Sequence, residues 1–300
     1  MIVLIFNLPA VAVSGETGID AASWTWPWYI AVPLFGMAAL YLIGIARMQH
    51  RGVRLRSFSI GCFIAGWVSL LMALDSPMHE ISEQLFWVHM TQHEILMLVS
   101  APLLVLSQPL AVFLWAMPPS WRSPVVGVFK WQVSKGVWLA ISAPAAAWLI
   151  HAIALWSWHA PVLFDAALHS DFVHALQHAS FIGSALLFWW ALLRNHDGRL
   201  GFGGAILYVF TTAVHTSVLG AWLTFSPRIW YLPYLGTTSL WHISALEDQQ
   251  LGGLIMWIPA GTLLTVVALV LLAKWLRHSE QRWEYTHTAA LIRASQGVTK

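Results

Sequence analysis

Four histidines fall into two pairs at helical spacing. His89 and His93 lie in Trp87-Val88-His89-Met90-Thr91-Gln92-His93-Glu94, and His174 and His178 lie in Asp171-Phe172-Val173-His174-Ala175-Leu176-Gln177-His178. On a helix, residues four apart are about 40° apart around the axis and roughly 6 Å along it, so both imidazoles of a pair can address one ligand. Neutral imidazole suits copper, zinc, iron and nickel, and thioether sulfur adds a preference for Cu(I). Met78, Met90 and Met97 are close in sequence to the first pair. Copper is the preferred ion, with zinc and haem b as the alternatives. His159, in Trp158-His159-Ala160-Pro161, is a fifth candidate ligand. Asp171, Glu94 and Asp248 are carboxylates placed to orient imidazoles as hydrogen-bond acceptors. Asp248 and Gln249 open the last apolar run, where they read as a hinge, and Asp248 equally as an ordinary helix N-cap.

The elements that carry these residues belong in a membrane. Of 300 residues, 58% are hydrophobic and 9% charged, whereas charged residues make up about a quarter of a soluble domain. A span needs about 20 predominantly apolar residues, and such runs occur at 28–46, 58–74, 85–106, 137–158, 172–193, 202–225 and 251–273. The fold expected is all-α with seven transmembrane helices. Residues 1–27 form a leader, 28–273 the transmembrane domain and 274–300 a polar tail. The run at 109–117 is too short to cross and reads, within 108–121, as interfacial or re-entrant. Pro33, Pro102, Pro144 and Pro259 fall inside spans and mark kinks. Gly252-Gly253 marks close helix approach.

Fourteen of the 15 Lys and Arg residues follow spans one, three, five and seven, leaving Arg228 on the opposite side. By the bias of cationic loops toward the cytoplasm, the N-terminus is outside and the C-terminal tail cytoplasmic. The external loops then hold Asp75, Glu80, Glu83, Asp165, Asp171, Glu247 and Asp248, and nine of the 14 histidines lie on that side or in the outer parts of the spans. Blander readings apply elsewhere. A lone His in a span, such as His151 or His215, is more often bonded to a neighbouring helix than a ligand. His79, His169 and His242 in the loops read as wetted side chains. Met in an apolar span is core filler by default. The single Cys, Cys62, provides neither a disulfide nor a paired-thiol clip, and there is no nucleic-acid footprint.

Three blocks also resemble a known family: FWVHMTQHEILMLVSAPLLVL from Phe86, WSWHAPVLFDAALHSDFVHALQH ending at His178, and EDQQLGGLIMW from Glu247. Together they are similar to the signature blocks of the CtaG-type cytochrome c oxidase assembly factor family. The resemblance implies a seven-span protein without enzymatic activity, needed to mature a haem-copper oxidase around its copper centres. Cytochrome c oxidase subunits, an external copper chaperone and the lipid bilayer would be its partners, and the bacterial inner membrane its location. His89 and His93 fall on the first block, His159 on the second with His174 and His178 just after it, and Asp248, Gln249 and Gln250 on the third. Without a thiol pair the metal site would be weak and exchange-ready. Two other classes stand beside this reading: an intramembrane haem redox protein, and a metal transporter using the deep polar patch around His215.

Overall fold

The computed structural model describes residues 24, 26–194 and 200–297. The expectations for residues 1–23 lie outside the described residues. Every regular element among the described residues is helical. That follows from composition, because an apolar segment in lipid must bond its own backbone internally.

The first two helices, α1 (Trp28–His50) and α2 (Ser57–Asp75), are long and apolar. A short helix, α3 (Met78–Ser82), leads to the third span. That span is built of α4 (Phe86–Glu94), a π-helical stretch at Ile95–Ser100 and α5 (Ala101–Ser107). A π stretch widens the turn and releases backbone carbonyls from their usual partners. Here the Trp189 indole donates to the Met97 carbonyl at 2.8 Å, and the Ser69 and Ser100 hydroxyls bond at 2.7 Å. Neighbouring helices thus hold the widened turn immediately after the first histidine pair.

Gln108 ends α5 in the left-handed region, at φ 56°. The chain reverses into α6 (Pro109–Ala116), the short apolar run expected to be interfacial or re-entrant. It packs against α1, where Gly44 lacks the Cβ that would strike the Val112 carbonyl. Arg47 donates to the Ala116 carbonyl at 2.6 Å. Arg122, from α7 (Pro119–Lys130), donates to Met117 and Trp115 carbonyls. Two guanidinium groups therefore satisfy the end of α6, where helical carbonyls lack partners.

The fourth span departs from expectation. In place of one kinked helix over 137–158 there are two, α8 (Gln132–Ile141) and α9 (Pro144–Trp158), bent by 65°. Pro144 stands in the first turn of α9, where its missing N–H costs nothing, so the proline starts a helix and does not kink one. The chain continues through α10 (Pro161–Leu168), α11 (Asp171–Leu193) and α12 (Gly201–Phe225). The final helix, α13 (Ala245–Gly297), carries the polar tail as an unbroken continuation of the last span. Among the described residues, six helices are long and apolar enough to cross a membrane, and the α8–α9 pair makes a seventh if counted as one bent span.

Glycines set the α12–α13 contact, since a Cβ on Gly253 would strike the Thr224 and Gly220 backbone. Gly252 faces the other way, onto Phe86 and Met90 of α4. The pair at 252–253 therefore lets α13 approach two helices at once. A buried core of Phe86, Phe181, Phe188, Leu223 and Met256, among others, fills the space between α4, α11, α12 and α13.

Candidate metal centre

α4 and α11 present their histidine pairs to each other. The His89 ring stacks on His174 at 5.2 Å between centroids, and His93 meets His178 edge-on at 5.3 Å. Within each pair the rings are 4.4 Å apart. Relative exposure is 0% for His89, 1% for His93 and 7% for His174 and His178. Both ring nitrogens of His89 and His93, and Nε2 of His174 and His178, are buried without a hydrogen-bond partner. The Gln177 amide lies alongside His89, outside hydrogen-bonding geometry. An unpaired buried polar group costs about 1–3 kcal/mol, so a cluster of such nitrogens points to a ligand that takes their lone pairs.

One set is His89, His174 and His178, with one ligand atom from each within 4.8 Å of the others. Metal–nitrogen bonds of about 2.0–2.1 Å place tetrahedral ligands about 3.4 Å apart. Modest closing of three side chains reaches that geometry. His93 lies beside this trio, outside it.

His159 follows α9 and packs beyond His93, at 6.4 Å between ring centroids. Its Nδ1 donates to the Leu155 carbonyl at 2.6 Å, since a carbonyl can only accept. That leaves the lone pair on Nε2, which is buried and unpartnered, the tautomer a metal ligand needs. Burial holds the ring's pKa down to about 4 against the opposing pull of that carbonyl, so His159 is neutral at pH 7. The Tyr231 hydroxyl donates to the His159 backbone carbonyl at 3.0 Å and anchors the turn.

The acidic candidates take different places from those expected. Asp248 does not touch an imidazole and does not cap its own helix. Its two carboxylate oxygens accept the backbone N–H groups of Phe86, at 2.8 Å, and Trp87, at 3.0 Å. These belong to the first turn of α4, whose own N-cap, Leu85, supplies no side-chain acceptor. Gln249 clasps the preceding loop, accepting from Trp230 N–H at 2.7 Å and donating to the Arg228 carbonyl at 3.1 Å. Glu94 follows His93 by one residue, a rotation of about 100° on a helix. It lines a separate pocket with Met97, His151, Trp189, Thr212 and Thr216. Asp171 is exposed in the first turn of α11 and acts on His174 through its field, without a hydrogen bond.

His151 pairs with Ser184 at 3.1 Å. His215 receives the Trp156 indole N–H at 3.4 Å. The hydroxyls of Thr211, Thr212 and Thr216 around it bond back to their own helix, while Nε2 of His215 is buried without a partner. His169 bonds its own turn on the surface, and His242 is exposed. Met90 faces α13, and Met97 lines the Glu94 pocket.

Two residues stand closer to the cluster than the sequence suggests. The His79 ring stacks on His174 at 5.3 Å, and ligand atoms of His79, Glu83 and His174 lie within 4.8 Å of one another. The spacing of His79 and Glu83, four apart, was the available signal. What the spacing cannot give is the packing of α3 on α4, which carries the His79 ring to His174.

A model of the cytochrome c oxidase caa3 assembly factor family matches residues 39–278. The chain is 26% identical over 254 residues to an uncharacterized protein of Mycobacterium bovis and, equally, to one of Mycobacterium tuberculosis, in each case covering 82% of this chain and 38% of the relative. An uncharacterized protein of Mycobacterium leprae is 23% identical over 247 residues, covering 80% of this chain and 38% of its own length. The chain thus spans well under half the length of these relatives. No solved structure matches it. With four-fifths of the sequence inside the family match and its histidine helices packed face to face, the chain belongs to the cytochrome c oxidase caa3 assembly factor family.

Proposed function

We propose that this protein serves oxidase assembly by holding a copper ion between α4 and α11 and presenting it at the external side of the bacterial inner membrane. His89, His174 and His178 are the ligands, with His93 and His159 completing or exchanging with them. The observation that carries the reading is the group of buried imidazoles whose ring nitrogens have no protein partner. An all-imidazole set suits copper, and zinc is the competing ion on the same chemistry. Lacking thiolates, the site would release its ion readily, as delivery requires.

Rings packed 5.2 to 6.1 Å from their neighbours across α4 and α11 favour a single ion over a porphyrin, which would have to part the two helices. A transport path through the interior is disfavoured because the inner half of the third span, 99–106, is almost wholly apolar, whereas transport needs polar groups along the whole route. The external acidic side chains would draw cations and basic copper donors toward the site, an effect that weakens with salt. The partners are then cytochrome c oxidase subunits and an external copper chaperone.

The test is maturation of the oxidase in cells carrying His89→Ala/His178→Ala. The reading expects a membrane-inserted protein and an oxidase lacking copper. A fully active oxidase would remove the histidines from the function.

A further inference from the structure

The His174 ring is sandwiched between two others, His79 at 5.3 Å and His89 at 5.2 Å, and is nearly parallel to both, at 18° and 14°. It therefore belongs to two ligand sets, His79–Glu83–His174 and His89–His174–His178. The sets differ in exposure. Glu83 is exposed and His79 partly so, whereas His89, His174 and His178 are buried. Nδ1 of His79 is buried without a partner and has no assignment in the inner site.

We propose that His79 and Glu83 form an entry station, where an incoming cation binds with His174 before passing to the inner set. This rests on the copper reading above. The ion keeps its charge and exchanges ligands: His79 and Glu83 dissociate as His89 and His178 bind, and His174 stays attached throughout. Neutral imidazoles exchange without moving a proton. Glu83 supplies a negative charge at the entrance, and its replacement by imidazole inside leaves the ion more easily given up.

Another way in exists, and its chemistry argues against it. A cleft of about 280 Å³ reaches His178 between Tyr29, Leu34, Leu70 and Ile182, among others. That wall is almost wholly apolar, and it would have to strip the cation of water without replacement ligands. The His79–Glu83 route offers a ligand at each step.

The experiment adds Cu(II) chloride to the detergent-solubilised, metal-free full chain, following uptake by quenching of tryptophan fluorescence and final copper by elemental analysis after desalting. His79→Ala/Glu83→Gln should slow loading by about tenfold or more, the scale of electrostatic focusing, while final copper per chain stays within about twofold of wild type. Glu83→Asp should recover most of the rate. In His89→Ala/His178→Ala, added copper should still quench the fluorescence through a weak site that desalting empties, and adding His79→Ala should abolish that quenching. Wild-type loading rates in the His79/Glu83 variant would overturn the entry station and leave the inner site intact. Failure of the wild-type chain to take up copper would overturn both.

Discussion

Asp248 and Phe86 are 162 residues apart in sequence, yet the Asp248 carboxylate accepts the Phe86 backbone N–H at 2.8 Å, with Trp87 N–H on its other oxygen. The last span thereby caps the helix that carries His89 and His93. An anion at a helix N-terminus also meets the positive end of the dipole. The position of His89, three residues into α4, depends on a carboxylate that never touches it.

Asp248→Asn should retain one acceptor oxygen and lose the charge; Asp248→Ala should lose both. Loss of a cap costs about 0.5–2 kcal/mol, so the alanine variant should unfold at a lower temperature and bind copper more weakly. Asp165→Asn, on the surface beside His169, should do neither. Thermal unfolding in detergent followed by copper analysis checks the pair. Equal behaviour of the two variants would dissociate the cap from the site.

Trp189→Phe should destabilise the widened turn, because it leaves the buried Met97 carbonyl without its donor. A buried acceptor stripped of its partner costs about 1–3 kcal/mol. Hydrogen exchange should speed up locally over 95–100, and α13 should be unaffected. A uniform increase along the chain would count against a local role.

Gly253→Ala should push α13 away from α12, since the added methyl meets the backbone of Thr224 and Gly220. Overpacking of this kind costs about 1–3 kcal/mol. Gly36→Ala, where a Cβ meets nothing within 4 Å, should be tolerated. Denaturation midpoints of the two variants provide the comparison.

Tyr231→Phe should loosen the turn at His159 by removing the hydroxyl that bonds its backbone carbonyl. The loss expected is about 1 kcal/mol. If His159 takes part in holding the ion, copper affinity should fall as well, whereas unchanged affinity would confine His159 to the fold.

That each histidine pair shares one side of its helix was legible from the spacing of four, whereas the facing of the two pairs comes only from the ring contacts between α4 and α11. The helical class was legible from apolar runs alone. The acidic partners were harder. Glu94 adjoins His93 in sequence, but one residue on a helix is a turn of about 100°, and that rotation aims it into another pocket. The same geometry turns Met90 away from His89 and onto Gly252. Asp248 was readable as a cap, though sequence order suggests its own helix when it serves α4. His79 was hidden because α3 is five residues long, too short for a periodic pattern to reveal which neighbour it folds against.

The central claim is that the buried imidazoles between α4 and α11 hold copper. Elemental analysis of the detergent-purified wild type, loaded with copper and desalted, beside His89→Ala/His178→Ala tests it most directly. The account predicts about one tightly retained copper per wild-type chain, lost in the variant while helical content is unchanged. Equal copper in both proteins, or none in either, would contradict it.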